Sequence, residues 1–184
     1  MKKTTALIAT TLTGSLLISA LAMGDDDEDK YRWGRSSLDV APVTNQLYNE
    51  ECGDCHMAYQ PGLLPARSWK KLMHNLENHF DENAELDAET QAELALYLME
   101  NAADKANYKR SRSITRSLDQ DETPLRISTT RYFIRKHDEL PKRLVEGNPE
   151  VKTFSRCEVC HTDADKGSYN EHQVRIPGYG RWDD

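Results

Sequence analysis

Between Trp69 and Phe80 the apolar residues Trp69, Leu72, Met73, Leu76 and Phe80 recur at intervals of three and four. That is the period of a helix with one buried face, and Pro65 with Ser68 as a cap places its start just after Pro65. At about 100° per residue, His79 falls at the edge of this stripe beside Leu72. His74 points roughly 140° away from Trp69, on the side of Lys70 and Glu77. A second helix is predicted behind Asp87, in AETQAELALYLMENAA, with Ala95, Leu98, Met99 and Ala102 as its apolar face. A third and shorter one lies in TRYFIRKHDELP. There Phe133, Ile134, His137 and Leu140 share a side, Arg131, Arg135 and Lys136 lie elsewhere, and Pro141 ends the helix. No stretch alternates in the manner of a half-buried strand, so the expected fold class is mostly α, with long loops.

The start of the chain reads differently. Lys2 and Lys3 precede a largely apolar run, Ala6 to Leu21, and Ala20-Leu21-Ala22 is a small-x-small cleavage pattern. Residues 1–22 are therefore expected to be a secretory signal peptide and the protein to be exported to the periplasm, soluble after cleavage. Threonines, serines and a glycine interrupt the run and weaken it as a permanent membrane span. Residues 23–36, MGDDDEDKYRWGRS, read as an acidic tail.

Composition limits what the remainder can do. With 38% hydrophobic residues over the whole chain, only a modest core is available, and an apolar group from outside the chain would help it fold. The formal charge is −7, which argues against nucleic acid as a partner. The charge is unevenly placed: residues 23–106 are strongly acidic, whereas 107–143 hold 10 Lys/Arg against 5 Asp/Glu. The basic NYKRSRSITRSL is read as a linker or solvated helix face, with docking to an acidic partner as the sharper alternative.

All 4 cysteines fall in two copies of one pattern, CGDCH (Cys52, Cys55, His56) and CEVCH (Cys157, Cys160, His161). Disulfides are the ordinary expectation in an exported protein, but a two-residue gap makes a strained redox loop and leaves both histidines unexplained. Paired zinc knuckles are typically separated by about 15–20 residues, far fewer than lie between these two. A thioredoxin-type motif needs a βαβ setting that is not visible. What remains is c-type haem attachment. Cys52, Cys55, Cys157 and Cys160 would form thioethers to two haem c groups, and His56 and His161 would each ligate an iron.

Each iron has a second axial position, and its occupant decides the chemistry. Among histidines outside the motifs, His79 and His137 lie on apolar faces. His74 faces water, and His172 sits in a polar loop bounded by glycine and proline. Met73 is the best methionine alternative, although a stripe methionine usually packs. The economical pairing is His56 with His79 and His161 with His137, and a crossed pairing remains open. Arg67, Arg131 and Arg135 are candidate neighbours of the haem propionates. Along the chain this yields a first haem-binding lobe at 37–106, a basic linker at 107–124 and a second haem-binding lobe at 125–184.

The stretch PVTNQLYNEECGDCHMAYQPGLLPARSWKKLMHNLENHFDENAELD, together with RISTTRYFIRKHDELP and CEVCHTDADKGSYN, resembles the dihaem cytochrome c family of exported bis-histidine electron carriers. The resemblance implies a first lobe similar to a c-type cytochrome and His79 and His137 as distal ligands. It also implies other redox proteins as partners, such as a small oxygen-binding monohaem cytochrome or a membrane b-type cytochrome. Asp81 departs from the family pattern, in which glycine is expected. The function expected is electron transfer without catalysis. The alternative is a haem enzyme, a dihaem peroxidase or small-molecule reductase, which needs an open iron site and an acid/base group beside it.

Overall fold

The computed structural model describes residues 38–182, so the expected leader and acidic tail lie outside the described residues. The fold is mostly helical. Helix α1 (Gln46–Gly53) is capped by Asn45, whose side-chain oxygen accepts the Tyr48 amide at 2.8 Å. Helix α2 (Ala66–Met73) begins where the pattern predicted, but Pro65 holds the cap position. Ser68 is buried inside the helix, where its hydroxyl has no hydrogen-bond partner.

The Trp69–Phe80 stripe is helical only as far as Met73. Asn75, at φ −140° and ψ 45°, leaves helical space, and a single 3-10 turn follows at Leu76–Asn78. The chain then reverses. His79 N–H donates to the Glu82 carbonyl at 2.8 Å and Glu82 N–H to the His79 carbonyl at 3.2 Å. Phe80 and Asp81 between them have φ 57° and 77°. Two positive φ angles inside a two-residue loop are the signature of a type I′ turn. Its reciprocal hydrogen bonds win over helix continuation, so the helical-wheel placement of His79 does not hold.

Helix α3 (Ala88–Glu100) is capped by Asp87, which accepts the Glu89 and Thr90 amides. Leu94, Leu98 and, just beyond the helix, Ala102 form its most buried line, with Ala95 and Met99 at the edges. This face packs on Trp69 and Met73 of α2 and on Tyr48 of α1.

The basic stretch contains helix α4 (Lys109–Ser117), which buries Ser111 and Ile114 while Arg112 and Arg116 stay exposed. Helix α5 (Arg131–His137) is capped by Thr130. Phe133 and His137 are half-buried, but Ile134, expected inward, is 54% exposed. A single turn, α6 (Cys157–Cys160), carries the second motif. A minimal hairpin pairs β1 (Arg175–Ile176) with β2 (Gly180–Arg181), strands too short to leave an alternating pattern.

A second apolar cluster joins Val40 and Leu63 to Ile114, Ala164 and Tyr169, so segments far apart in sequence share one interior. Polar groups stitch the same region. Gln60 Nε2 donates to the Ala164 carbonyl at 2.5 Å, and Tyr169 Oη donates to Gln60 Oε1 at 2.6 Å. Asp39 and Val40 both donate their amides to the Gly167 carbonyl. Among the described residues no helix is long and apolar enough to cross a membrane.

Candidate functional site

Each cysteine motif is presented differently by its surroundings. In the first, Cys52 lies in the last turn of α1 against the α1–α3 core, while Cys55 and His56 beyond it are exposed. In the second, Cys157, Cys160 and His161 are half-buried along a cavity of about 380 Å3 that His137 also lines. None of the four cysteines is in a disulfide. Burial, reinforced by Glu158, pushes the Cys157 thiol up to about 12; burial, reinforced by Glu51, pushes Cys52 up to about 11. Neutral thiols are poor nucleophiles and poor zinc ligands. Among the described residues no three His, Cys, Asp or Glu side chains converge as a metal cluster would require.

The histidines come together in twos. The His56 and His79 rings have centres 6.3 Å apart, and those of His137 and His161 are 6.2 Å apart. A metal–imidazole nitrogen bond is about 2 Å and the ring centre lies about 1.1 Å further out, so imidazoles on opposite sides of one ion sit roughly 6.2 Å apart. Both pairs match that spacing without touching each other directly. The residues present fit a haem iron between each pair.

Hydrogen bonding bears on which nitrogen is available. His56 Nδ1 donates to the Met57 carbonyl at 2.8 Å, and His137 Nδ1 donates to the Phe133 carbonyl at 2.9 Å. A carbonyl can only accept, so both Nδ1 atoms carry the proton and Nε2 keeps its lone pair. Nδ1 of His79 and of His161 is buried without a partner. Burial first, then the neighbouring His137, holds His161 down at about 4; burial and His56 lower His79. Both rings are thereby favoured as neutral imidazoles, the form that ligates.

His74 is exposed, its Nδ1 bonded to the Lys70 carbonyl at 3.1 Å. His172 is exposed at the rim of the cavity beside the second motif. Met73 is buried in the α2–α3 core. Of the arginines expected near propionates, Arg67 donates to the Asp119 and Glu122 carbonyls, and Arg131 pairs with Asp119 and Glu122. Both clamp the loop after α4. Arg135 lies over the Tyr132 ring at 5.7 Å.

Other side chains, not singled out from the sequence, border the pairs. Arg126 sits 3.9 Å from the centre of the Phe80 ring, which itself meets His79 edge-on, and Arg110 binds Asp39 and the Tyr169 carbonyl beside His161. Tyr59 stacks on His56 at 4.9 Å, and its hydroxyl donates to the carbonyl of Ser155, two residues before Cys157. It ties the first pair to the second motif. Only proximity to a motif marks Tyr59 in the sequence, and nothing local marks Arg110 or Arg126.

The family described as "Dihaem cytochrome c" matches residues 48–169. Among solved structures, a dihaem cytochrome c from Shewanella baltica is 45% identical, covering 76% of this chain and 98% of that one, with a TM-score of 0.64. A dihaem cytochrome c from Rhodobacter sphaeroides is 44% identical, covering 72% and 100%, with a TM-score of 0.63. No curated protein matches the chain.

Proposed function

Since the chain belongs to the dihaem cytochrome c family and so carries two haem c groups, we propose that it passes single electrons between redox partners through two six-coordinate haems. In this reading Cys52 and Cys55 hold one haem and Cys157 and Cys160 the other. His56 with His79, and His137 with His161, are the axial ligands. The observation that carries it is the spacing of the ring centres, 6.3 and 6.2 Å, in pairs that each contain one motif histidine.

A bound haem c supplies a one-electron iron couple whose potential follows its axial ligands, the hydrogen bonds to them and its burial. The chain's own residues set those quantities. The carbonyls of Met57 and Phe133 fix the tautomer and tilt of one ring in each pair. Val145, Val151, Phe154 and Ile176 give the second site one apolar wall. Filling both axial positions leaves no iron site for substrate, and electron transfer then requires no nucleophile and no general acid.

The basic surface of α4 and the leader at 1–22 extend the proposal. The leader would direct the protein to the periplasm. Other haem proteins, a monohaem cytochrome or a membrane b-type cytochrome, would be its partners.

The oxidised, haem-loaded protein is expected to show only low-spin iron in optical and electron paramagnetic resonance spectra. A substantial high-spin fraction, or carbon monoxide binding after reduction, overturns the reading. His79→Ala and His137→Ala should each turn one haem high-spin, whereas His74→Ala leaves the spectrum unchanged. Wild-type spectra from both ligand variants would place the ligands elsewhere.

A further inference from the structure

The two histidine pairs share a spacing but differ in orientation. The His56 and His79 ring planes are 25° apart, close to parallel, whereas those of His137 and His161 are 74° apart, close to crossed. The His137 ring is held from two directions. It stacks on Phe133 at 3.9 Å with 11° between planes, while its Nδ1 donates to the carbonyl of the same residue, one helical turn back. Phe154 closes the arrangement, edge-on to Phe133 at 5.6 Å and to His137 at 5.8 Å. A helix-terminal histidine has few rotamers to begin with. The stack and the hydrogen bond together select one.

From this geometry we propose that the chain builds two electronically inequivalent haems, and that Phe133 is the positioning residue that makes the second one a crossed-ring centre. The proposal rests on the axial ligation argued above. Each imidazole donates π density to the iron d orbital perpendicular to its own plane. Parallel rings act on the same orbital and split the pair, which stabilises ferric iron. Crossed rings act on one orbital each and leave the pair nearly degenerate. The hydrogen bonding of the rings is matched, because each pair has one Nδ1 tied to a backbone carbonyl and one without a partner. The ring-plane angle is therefore a lever that biases the second haem toward reduction relative to the first.

Near-degeneracy has a direct readout. Low-temperature electron paramagnetic resonance of the fully oxidised, haem-loaded protein is expected to show two low-spin signals: an ordinary rhombic one and a strongly anisotropic one at low field. A high-spin spectrum would sink the ligation reading itself. Two rhombic low-spin signals would leave that reading standing and overturn this inference. In His79→Ala the rhombic signal should vanish while the anisotropic one persists, and the opposite result overturns the assignment to the second site. Phe133→Leu should shift the anisotropic signal toward a rhombic shape and lower the potential of one haem only. Phe133→Tyr, which keeps the stack, should restore both. If the second haem keeps its low-field signal and its potential in Phe133→Leu, Phe133 does not position the ring.

Discussion

At the scale of single residues, the turn after His79 shows how a backbone constraint serves a side chain. Phe80 and Asp81 adopt positive φ in a type I′ turn, where glycine and asparagine are at home. Phe80 meets His79 edge-on at 4.8 Å and lies under Arg126, contacts a glycine cannot make. Asp81 is exposed, and no such contact ties its side chain to this backbone shape. Asp81→Gly is accordingly expected to stabilise the protein by about 0.5–1 kcal/mol, seen as a raised urea midpoint with an unchanged haem spectrum. A fall in the midpoint would mean that the aspartate makes a contact worth more than the strain it carries.

Among the elements, α4 separates what composition implies from what packing does. Its sequence KRSRSITRS is dominated by cations, yet it seats on the second apolar cluster through Ile114, which is 2% exposed. Gly62 lies so close to it that a β-carbon there would meet Ser111 Oγ at 2.7 Å. Ile114→Ala should cost about 2–4 kcal/mol through the lost burial and the cavity left behind. Arg116→Ala, on the exposed face, should stay within about 0.5 kcal/mol. Chemical denaturation of the loaded proteins distinguishes the two. If the arginine change costs as much as the isoleucine change, the helix is held by charge and not by its buried face.

For the molecule as a whole, the beginning of the described chain is joined to the segment after the second motif at Gly167 and at Tyr169, whose amide donates to Asp39. Gly167 has φ +81°, and a β-carbon on it would lie 2.5 Å from the Val40 carbonyl oxygen. Its own carbonyl accepts the amides of Asp39 and Val40 at 2.9 and 3.2 Å. Gly167→Ala therefore meets both a disfavoured backbone region and a backbone clash, and should destabilise by at least about 2 kcal/mol. Hydrogen exchange at Asp39 and Val40 should accelerate in that variant more than exchange at Leu94 or Leu98. Equal acceleration everywhere would show that 38–42 opens only with global unfolding.

What the sequence determined by itself is the chemistry that depends on spacing along the chain. Two CxxCH motifs that use every cysteine implied two haem c groups, because thioether attachment is a local demand on five consecutive residues. Helical period and the Asp87 cap marked the region of α3, because caps and stripes are local as well. Tertiary structure decided everything that depends on which segments meet. The stripe through Trp69 pointed to His79, yet the helix ends at Met73 and a reverse turn, not helical phase, brings His79 to within 6.3 Å of His56. Periodicity reads only side-chain sequence, whereas the turn that presents His79 depends on hydrogen bonds between His79 and Glu82. The roles of Arg110, Arg126 and Tyr59 were invisible for a related reason. A side chain that reaches across 50 or 100 residues leaves no pattern near itself, and ring-plane angles are set only when the packing around each ring is complete.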